Sequence, residues 1–255
     1  MSREDRRPAT RLVLVHGSRL SASQWAPQQS RVAADPTLGW LEVVVPDLPG
    51  HGPRSAEPFT LDRAVGAVAA AVEAGVPAER VVLAGHSLGG YVAATYAATY
   101  PGRLDGLVIL GAAARPRGAG AAAYRGVALL TERAGPDRMT RVNDRVLGRL
   151  YPADLVEPVV AGGYWFGPTR TAWREVMARC GPHQLREVSC PVLVAGGVYD
   201  QLMLDARRYA RAAPHGRMVR IPGAGHLAGF DRPDEVTALL VDFVRGVADG
   251  TLEPP

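Results

Sequence analysis

Gly85-His86-Ser87-Leu88-Gly89-Gly90 follows directly on the apolar run Val81-Val82-Leu83-Ala84, and a helix-like segment, Tyr91 to Tyr100, comes after it. The pattern is a buried strand that ends in a glycine-bracketed serine. A serine hydroxyl is a weak nucleophile until a base takes its proton, so it must be exposed and accurately placed. A sharp strand-to-helix turn does both, lifting the hydroxyl out of the sheet on strained backbone angles. Such a turn draws together the residues two before and two after the serine. Here these are Gly85 and Gly89, where no side chain can clash.

The chain of 255 residues accommodates one large α/β domain or two small ones and is ample for a core. Its 47% apolar and 21% charged residues are those of an ordinary water-soluble chain. The stretch Met1 to Thr10 is charged and lacks an apolar signal core, so neither a secretory signal nor an anchor is expected. The most apolar helix-like stretch, Ala64 to Val76, is broken by Gly66, Glu73 and Gly75 and is too short to span a bilayer. Two cysteines, Cys180 and Cys190, make no disulfide framework and no metal set. A cytoplasmic location is the expectation, without metal or cofactor.

All 29 basic residues are arginine. The absence of lysine excludes Schiff-base chemistry, pyridoxal phosphate attachment and a phosphate-loop lysine. The net charge of +4 is uneven: from Arg115 to Glu187 there are 12 arginines against 7 acids, or +5, which leaves −1 elsewhere. No aromatic-basic interleaving accompanies this excess, so it reads as a solvated surface and not a nucleic-acid face.

Short apolar runs alternate with helix-length segments, which predicts a mostly parallel, doubly wound sheet covered on both faces. The expected strands are Arg11–Val15, Leu41–Pro46, Val81–Ala84, Leu107–Leu110, Val192–Ala195 and Met218–Ile221. They are rich in Val, Leu and Ile without polar alternation, as strands buried on both faces are. Helices are expected over Ser23–Ala34, Leu61–Ala74, Gly89–Tyr100, Leu202–Ala213 and Pro233–Val247, with Thr60 as the N-cap of the second. Between Ala112 and Ser189 the strand rhythm stops. This stretch is helix-like, punctuated by Gly and Pro, and carries Tyr124, Tyr151, Tyr164, Trp165, Phe166 and Trp173. A long insertion between strands of one sheet is usually functional. The expected organisation is a core of residues 1–111 and 190–255 with a helical cap over 112–189, in which the alanine- and glycine-rich Ala112–Ala123 is a candidate mobile stretch.

Several motifs in order resemble the α/β-hydrolase superfamily along nearly the whole chain. Leu12-Val13-Leu14-Val15 runs into His16-Gly17-Ser18, and Asp47-Leu48-Pro49-Gly50-His51-Gly52 follows the next strand. The Ser87 turn comes next, then Gly196-Gly197-Val198-Tyr199-Asp200, and finally Gly223-Ala224-Gly225-His226. The resemblance implies an α/β-hydrolase fold and a triad in the chain order Ser, acid, His, which Ser87, Asp200 and His226 obey. Ser87 is then the nucleophile and His226 the general base, later the acid that protonates the leaving group. Of the other histidines, the resemblance makes His16 and His51 structural. His86 is the variable residue of the turn, and His183 and His215 match no motif. Asp200 is expected to orient His226. Its nearest rival, Asp205, is expected about one helical turn inside the next segment, facing solvent. An oxyanion hole needs two N–H donors. Leu88, just after the nucleophile, supplies one; the resemblance points to Ser18 for the other, with Arg19 as runner-up.

The expected chemistry is acyl transfer to water through an acyl-enzyme, on a carboxylic ester, lactone or thioester. The expected partner is a small-molecule acyl substrate, not nucleic acid or membrane, and the oligomeric state is not legible. Cap aromatics with Met139 and Met177 are candidates to line an apolar pocket, although helix packing would explain them as well. The cap's basic excess suits an anionic substrate. Epoxide hydrolases and haloalkane dehalogenases of the superfamily use an aspartate nucleophile, and hydroxynitrile lyases use a lysine that this chain lacks. Cofactor-free haloperoxidase-like members usually carry methionine where Leu88 stands. A cyclase, lyase or ligand receptor built on the same pocket remains the alternative.

Overall fold

The computed structural model describes residues 7–74, 77–114 and 133–252. Six strands form one all-parallel sheet: β1 (Thr10–Val15), β2 (Leu41–Val44), β3 (Arg80–His86), β4 (Gly106–Leu110), β5 (Val192–Gly197) and β6 (Gly216–Ile221). Their order is β2-β1-β3-β4-β5-β6, so the winding reverses between β1 and β3. A reversal of this kind opens a crevice at the carboxyl ends of the strands, where ligands bind in open α/β sheets. Register pairs Val15 with Gly85 and His86 with Leu110, which brings the β1 exit and the serine turn side by side.

Strand alternation divides the apolar residues between two cores. Val13, Val15, Leu83, Leu107, Ile109, Val192 and Val194 face one cluster. Leu12, Leu14, Val82, Val108, Leu110, Leu193 and Ala195 face the other. The first is covered by α2 (Leu61–Val72) and α3 (Leu88–Thr99), the second by α1 (Ala26–Ala34) and the long C-terminal helix Pro233–Ala248. Every residue of α3 from Leu88 to Ala97 is buried, because it has sheet on one side and helices on the others.

Among the described residues between β4 and β5 are the helices α4 (Pro136–Leu150), α5 (Ala153–Gly162) and α6 (Thr169–Arg179). α5 carries Leu155, Val156 and Val159 into a third cluster with Leu147 of α4 and Phe230. α6 packs Ala172, Trp173 and Val176 into the first core. After β5 come α7 (Ala206–Ala212), β6, the one-turn α8 (Ala228–Asp231) and α9 (Pro233–Ala248). Among the described residues no helix is long and apolar enough to cross a membrane.

The element limits differ from expectation at loops. The first helix begins as a tight turn over Ala22–Trp25 before α1, and β2 stops at Val44. The segment after β5 is a tight turn, Gln201–Met203, followed by α7. Asp205 therefore stands immediately before α7, half-buried, and not inside a helix facing solvent. Its backbone N–H bonds the Ala113 carbonyl at 3.0 Å, which ties this turn to the end of β4. Thr60 caps α2 as expected, its side chain accepting from Arg63 N–H at 3.2 Å. Tyr124 and the stretch from Arg115 to Ala123 fall outside the described residues.

Candidate active site

The site begins at the end of β3. Ser87 has φ 53° and ψ −117°, a sparsely populated conformation for a residue with a Cβ. Three hydrogen bonds hold it there: Ser87 N–H to the Leu110 carbonyl at 2.9 Å, and its own carbonyl accepting from Gly90 at 3.0 Å and Tyr91 at 3.3 Å. The bracketing glycines are required by space. A Cβ on Gly85 would collide with the Gly89 carbonyl, and one on Gly89 with the Val15 and His16 carbonyls.

Three chain segments converge on the hydroxyl. His226 Nε2 lies 3.0 Å from Ser87 Oγ, and His226 Nδ1 lies 3.1 Å from both carboxylate oxygens of Asp200. A carboxylate only accepts, so the imidazole carries its proton on Nδ1 and turns the Nε2 lone pair to the serine. Asp200 is buried at the end of the β5 exit, where one oxygen also accepts from Leu202 N–H at 2.8 Å. The loop that carries His226 is held by Asp231, which accepts from Gly225 N–H at 2.7 Å and from the Tyr151 hydroxyl at 2.8 Å. Burial, then the Asp231 hydrogen bond, raises the Tyr151 phenol above its ordinary range, so it stays a donor.

Ser18 lies on the β1 exit and lines the same cavity as Ser87; its hydroxyl oxygen is buried without a hydrogen-bond partner among the described residues. Leu88 opens α3, where first-turn N–H groups have no partner inside the helix. Arg19 has φ 70°, and its carbonyl accepts from Trp165 N–H at 2.8 Å, fastening this loop to the stretch between α5 and α6.

The cavity above Ser87 has a volume of about 270 Å³. Its floor holds Ser87, His226, His86 and Gln24, and its walls include Leu20, Val146, Leu147, Val159, Trp173, Leu227 and Phe230. Arg19, Asn143 and Tyr164 add polar edges. Of the aromatic and methionine residues expected to line a pocket, Tyr164 and Trp173 do so. Tyr151 instead packs on Phe230, Phe166 stacks on Tyr164 at 6.2 Å, and Trp165 bridges to Arg19. Met177 packs on the first core, and Met139 lies on α4 without reaching the cavity.

Two buried histidines flank the site. Burial holds the His16 imidazole down at about 4, and burial with the neighbouring His16 holds His51 at about 3. Their rings meet edge to face at 5.0 Å. Both are neutral at ordinary pH and serve as packing and hydrogen-bonding groups.

Residues 12–239 match the model of the alpha/beta hydrolase family. The chain belongs to that family. A pimeloyl-[acyl-carrier protein] methyl ester esterase of Stenotrophomonas maltophilia is 32% identical over 262 residues, covering 94% of this chain and 95% of the relative. The same-named esterase of Aromatoleum aromaticum is 28% identical over 92% of this chain and 98% of its own. Among solved structures, a thermophilic esterase from Thermogutta terrifontis superimposes with a TM-score of 0.71 at 28% identity, covering 94% of this chain and 91% of that one.

Within this alpha/beta hydrolase, sequence order singled out Ser87, Asp200 and His226, which the structure brings within hydrogen-bonding distance of one another. It did not locate Gln24, Leu227 or Phe230, all of which line the cavity. Leu227 and Phe230 follow His226 by one and four positions, so closeness in sequence to a candidate base was the available signal. Gln24 carried no signal, being a polar residue in a stretch read only as helix.

Proposed function

We propose that the protein is a serine hydrolase that cleaves a carboxylic ester, lactone or thioester through an acyl-enzyme. As an alpha/beta hydrolase with esterase relatives across its length, it is an enzyme of the ester-hydrolase kind. The observation that carries the mechanism is the run of hydrogen bonds from Ser87 to His226 at 3.0 Å and on to Asp200 at 3.1 Å, at the floor of an apolar cavity. Ser87 Oγ attacks the substrate carbonyl while His226 Nε2 takes its proton. Asp200 stabilises the imidazolium and keeps its carboxylate charge. The Ser18 and Leu88 N–H groups receive the oxyanion, each donor being worth roughly 100- to 1,000-fold in rate. His226 then gives its proton to the leaving oxygen or sulfur, and a water deprotonated by the same nitrogen releases the acid. The relatives' names describe a methyl ester on a carrier-bound acyl chain; what carries over here is the ester.

Hydrolysis of p-nitrophenyl esters of increasing chain length tests this, together with labelling by a fluorophosphonate. Turnover that disappears in Ser87→Ala, and a labelled peptide containing Ser87, are the expected results. Ligand binding without turnover by the wild type, or a label elsewhere, would overturn the reading in favour of a receptor or non-hydrolytic enzyme.

A further inference from the structure

His86 and Gln24 are buried beside the reacting groups, and the acyl-transfer steps give neither a task. Their hydrogen bonds nevertheless have only one consistent assignment. His86 Nε2 lies 2.8 Å from the His226 carbonyl, which only accepts, so His86 carries its proton on Nε2. Burial, with the neighbouring His226, holds the His86 imidazole at about 3, so the ring is neutral and Nδ1 is a bare acceptor. Gln24 Nε2 lies 2.9 Å from that Nδ1 and donates to it. Gln24 Oε1 accepts from Gly17 N–H at 2.7 Å, which fixes the amide in the same orientation from its other end. Space agrees, since a Cβ on Gly17 would stand 3.0 Å from His86 Nδ1 and 3.3 Å from Gln24 Oε1.

His16 holds the other side of the same loop. Leu48 N–H donates to His16 Nε2 at 3.0 Å, so Nδ1 carries the proton and donates to the Gly17 carbonyl at 2.8 Å. That carbonyl shares a peptide plane with Ser18 N–H, which in a trans peptide points the opposite way. His16 thus orients the Gly17–Ser18 peptide directly, while Gln24, backed by His86, holds the preceding His16–Gly17 peptide through Gly17 N–H.

We propose that Gln24 and His86 are positioning residues that couple the Gly17–Ser18 loop to the main chain of His226, so that oxyanion donor and base hold one relative placement. This rests on the roles of Ser87, His226 and Ser18 given above. A displacement of about 1 Å at reacting groups costs on the order of 100-fold in rate, so a rigid link of this length has kinetic consequences.

Gln24→Leu keeps much of the volume and removes both bonds. It is expected to lower kcat roughly 10- to 100-fold on a p-nitrophenyl ester, with KM within about twofold. Gln24→Glu keeps an acceptor for Gly17 but cannot donate to His86 Nδ1 unless the pair takes up a proton. The groups facing His86 are His226, with Asp200 behind it, and His16. Relative to wild type at the same pH, the Gln24→Glu defect is therefore expected to shrink as pH falls. A simple packing role predicts no such pH dependence. Nitrogen-15 NMR of the wild-type imidazoles supplies a readout that needs neither variant nor turnover. His86 should keep its proton on Nε2 from about pH 8 to about pH 5. Titration of His86 in that range, a proton on Nδ1, or wild-type kcat and pH profile in both variants would each overturn the inference. If Ser87→Ala retains turnover, the proposed function fails first; if only the Gln24 variants behave as wild type, this inference fails alone.

Discussion

Ser87 shows at the level of one residue how reactivity is taken out of stability. A non-glycine residue in its conformation costs about 1–3 kcal/mol, retained because the surrounding hydrogen bonds over-determine the turn. Removing the hydroxyl in Ser87→Ala keeps the strained Cβ and should lower ester turnover by at least about 1,000-fold. Ser87→Gly removes the hydroxyl and the strain together. At most positions alanine is the more stabilising of the two, but here the glycine variant should melt at or above the alanine variant in a side-by-side thermal scan. At Asp200 the decisive property is acceptance only. An amide in Asp200→Asn can present N–H to His226 Nδ1 and so favours the tautomer that places a proton on Nε2, toward the serine. The folded structure should survive while kcat falls by about 10,000-fold, measured on any ester the wild type turns over.

Individual elements divide the labour between placing the site and shaping its cavity. β1, β3, β5 and the exit of β6 each deliver one part of the constellation, whereas α4, α5, α6 and α8 supply walls. Val159 is fully buried on α5 and lines the cavity, so Val159→Leu pushes one methylene into the space above Ser87. One methylene in an apolar pocket is worth about 1–3 kcal/mol of discrimination. kcat/KM for the longest accepted p-nitrophenyl ester should fall about 10-fold or more, with the acetate ester little changed. Equal loss on all chain lengths would place the acyl group elsewhere. The same division explains what the sequence made legible. The inner strands β1, β3, β4 and β5 are largely buried apolar runs, whereas the edge strands β2 and β6 are partly exposed and carry Glu42, Arg217 and Arg220; all six were nevertheless placed from sequence, within two residues at each end. Ser87, Asp200 and His226 stand at the ends of such strands in a fixed order. The helices between β4 and β5 answer to one another and to the core surface, and their amphipathic patterns do not say which side turns to the cavity. Tyr164 and Trp173 line it while Phe166, Met139 and Met177 do not, a difference that residue type alone does not carry. Gln24 was illegible for a related reason, because its role depends on His86, 62 positions away.

At the scale of the whole molecule, the histidines that frame the site also set its response to acid. His16, His51 and His86 are buried and held at about 4, about 3 and about 3, with loss of hydration the largest cause for each. In the unfolded chain the same rings protonate near 6.5. Their folded values are depressed, so the unfolded state binds protons that the native state refuses, and stability falls as pH drops through 6.5. Each ring contributes up to about 1.4 kcal/mol per pH unit once the unfolded chain is charged, and the three together about 4 kcal/mol per unit between roughly pH 6 and pH 4. Net stability of a domain is about 5–15 kcal/mol, so this slope is large enough to unfold the protein within that window. Above about pH 7 the three rings are neutral in both states and contribute no slope. Urea midpoints measured at about pH 7, 6 and 5 should therefore be level at first and then fall steeply. A midpoint unchanged down to about pH 5 would mean that these imidazoles accept protons while folded, and the neutral tautomers that orient the Gly17–Ser18 loop would then not be the ones present.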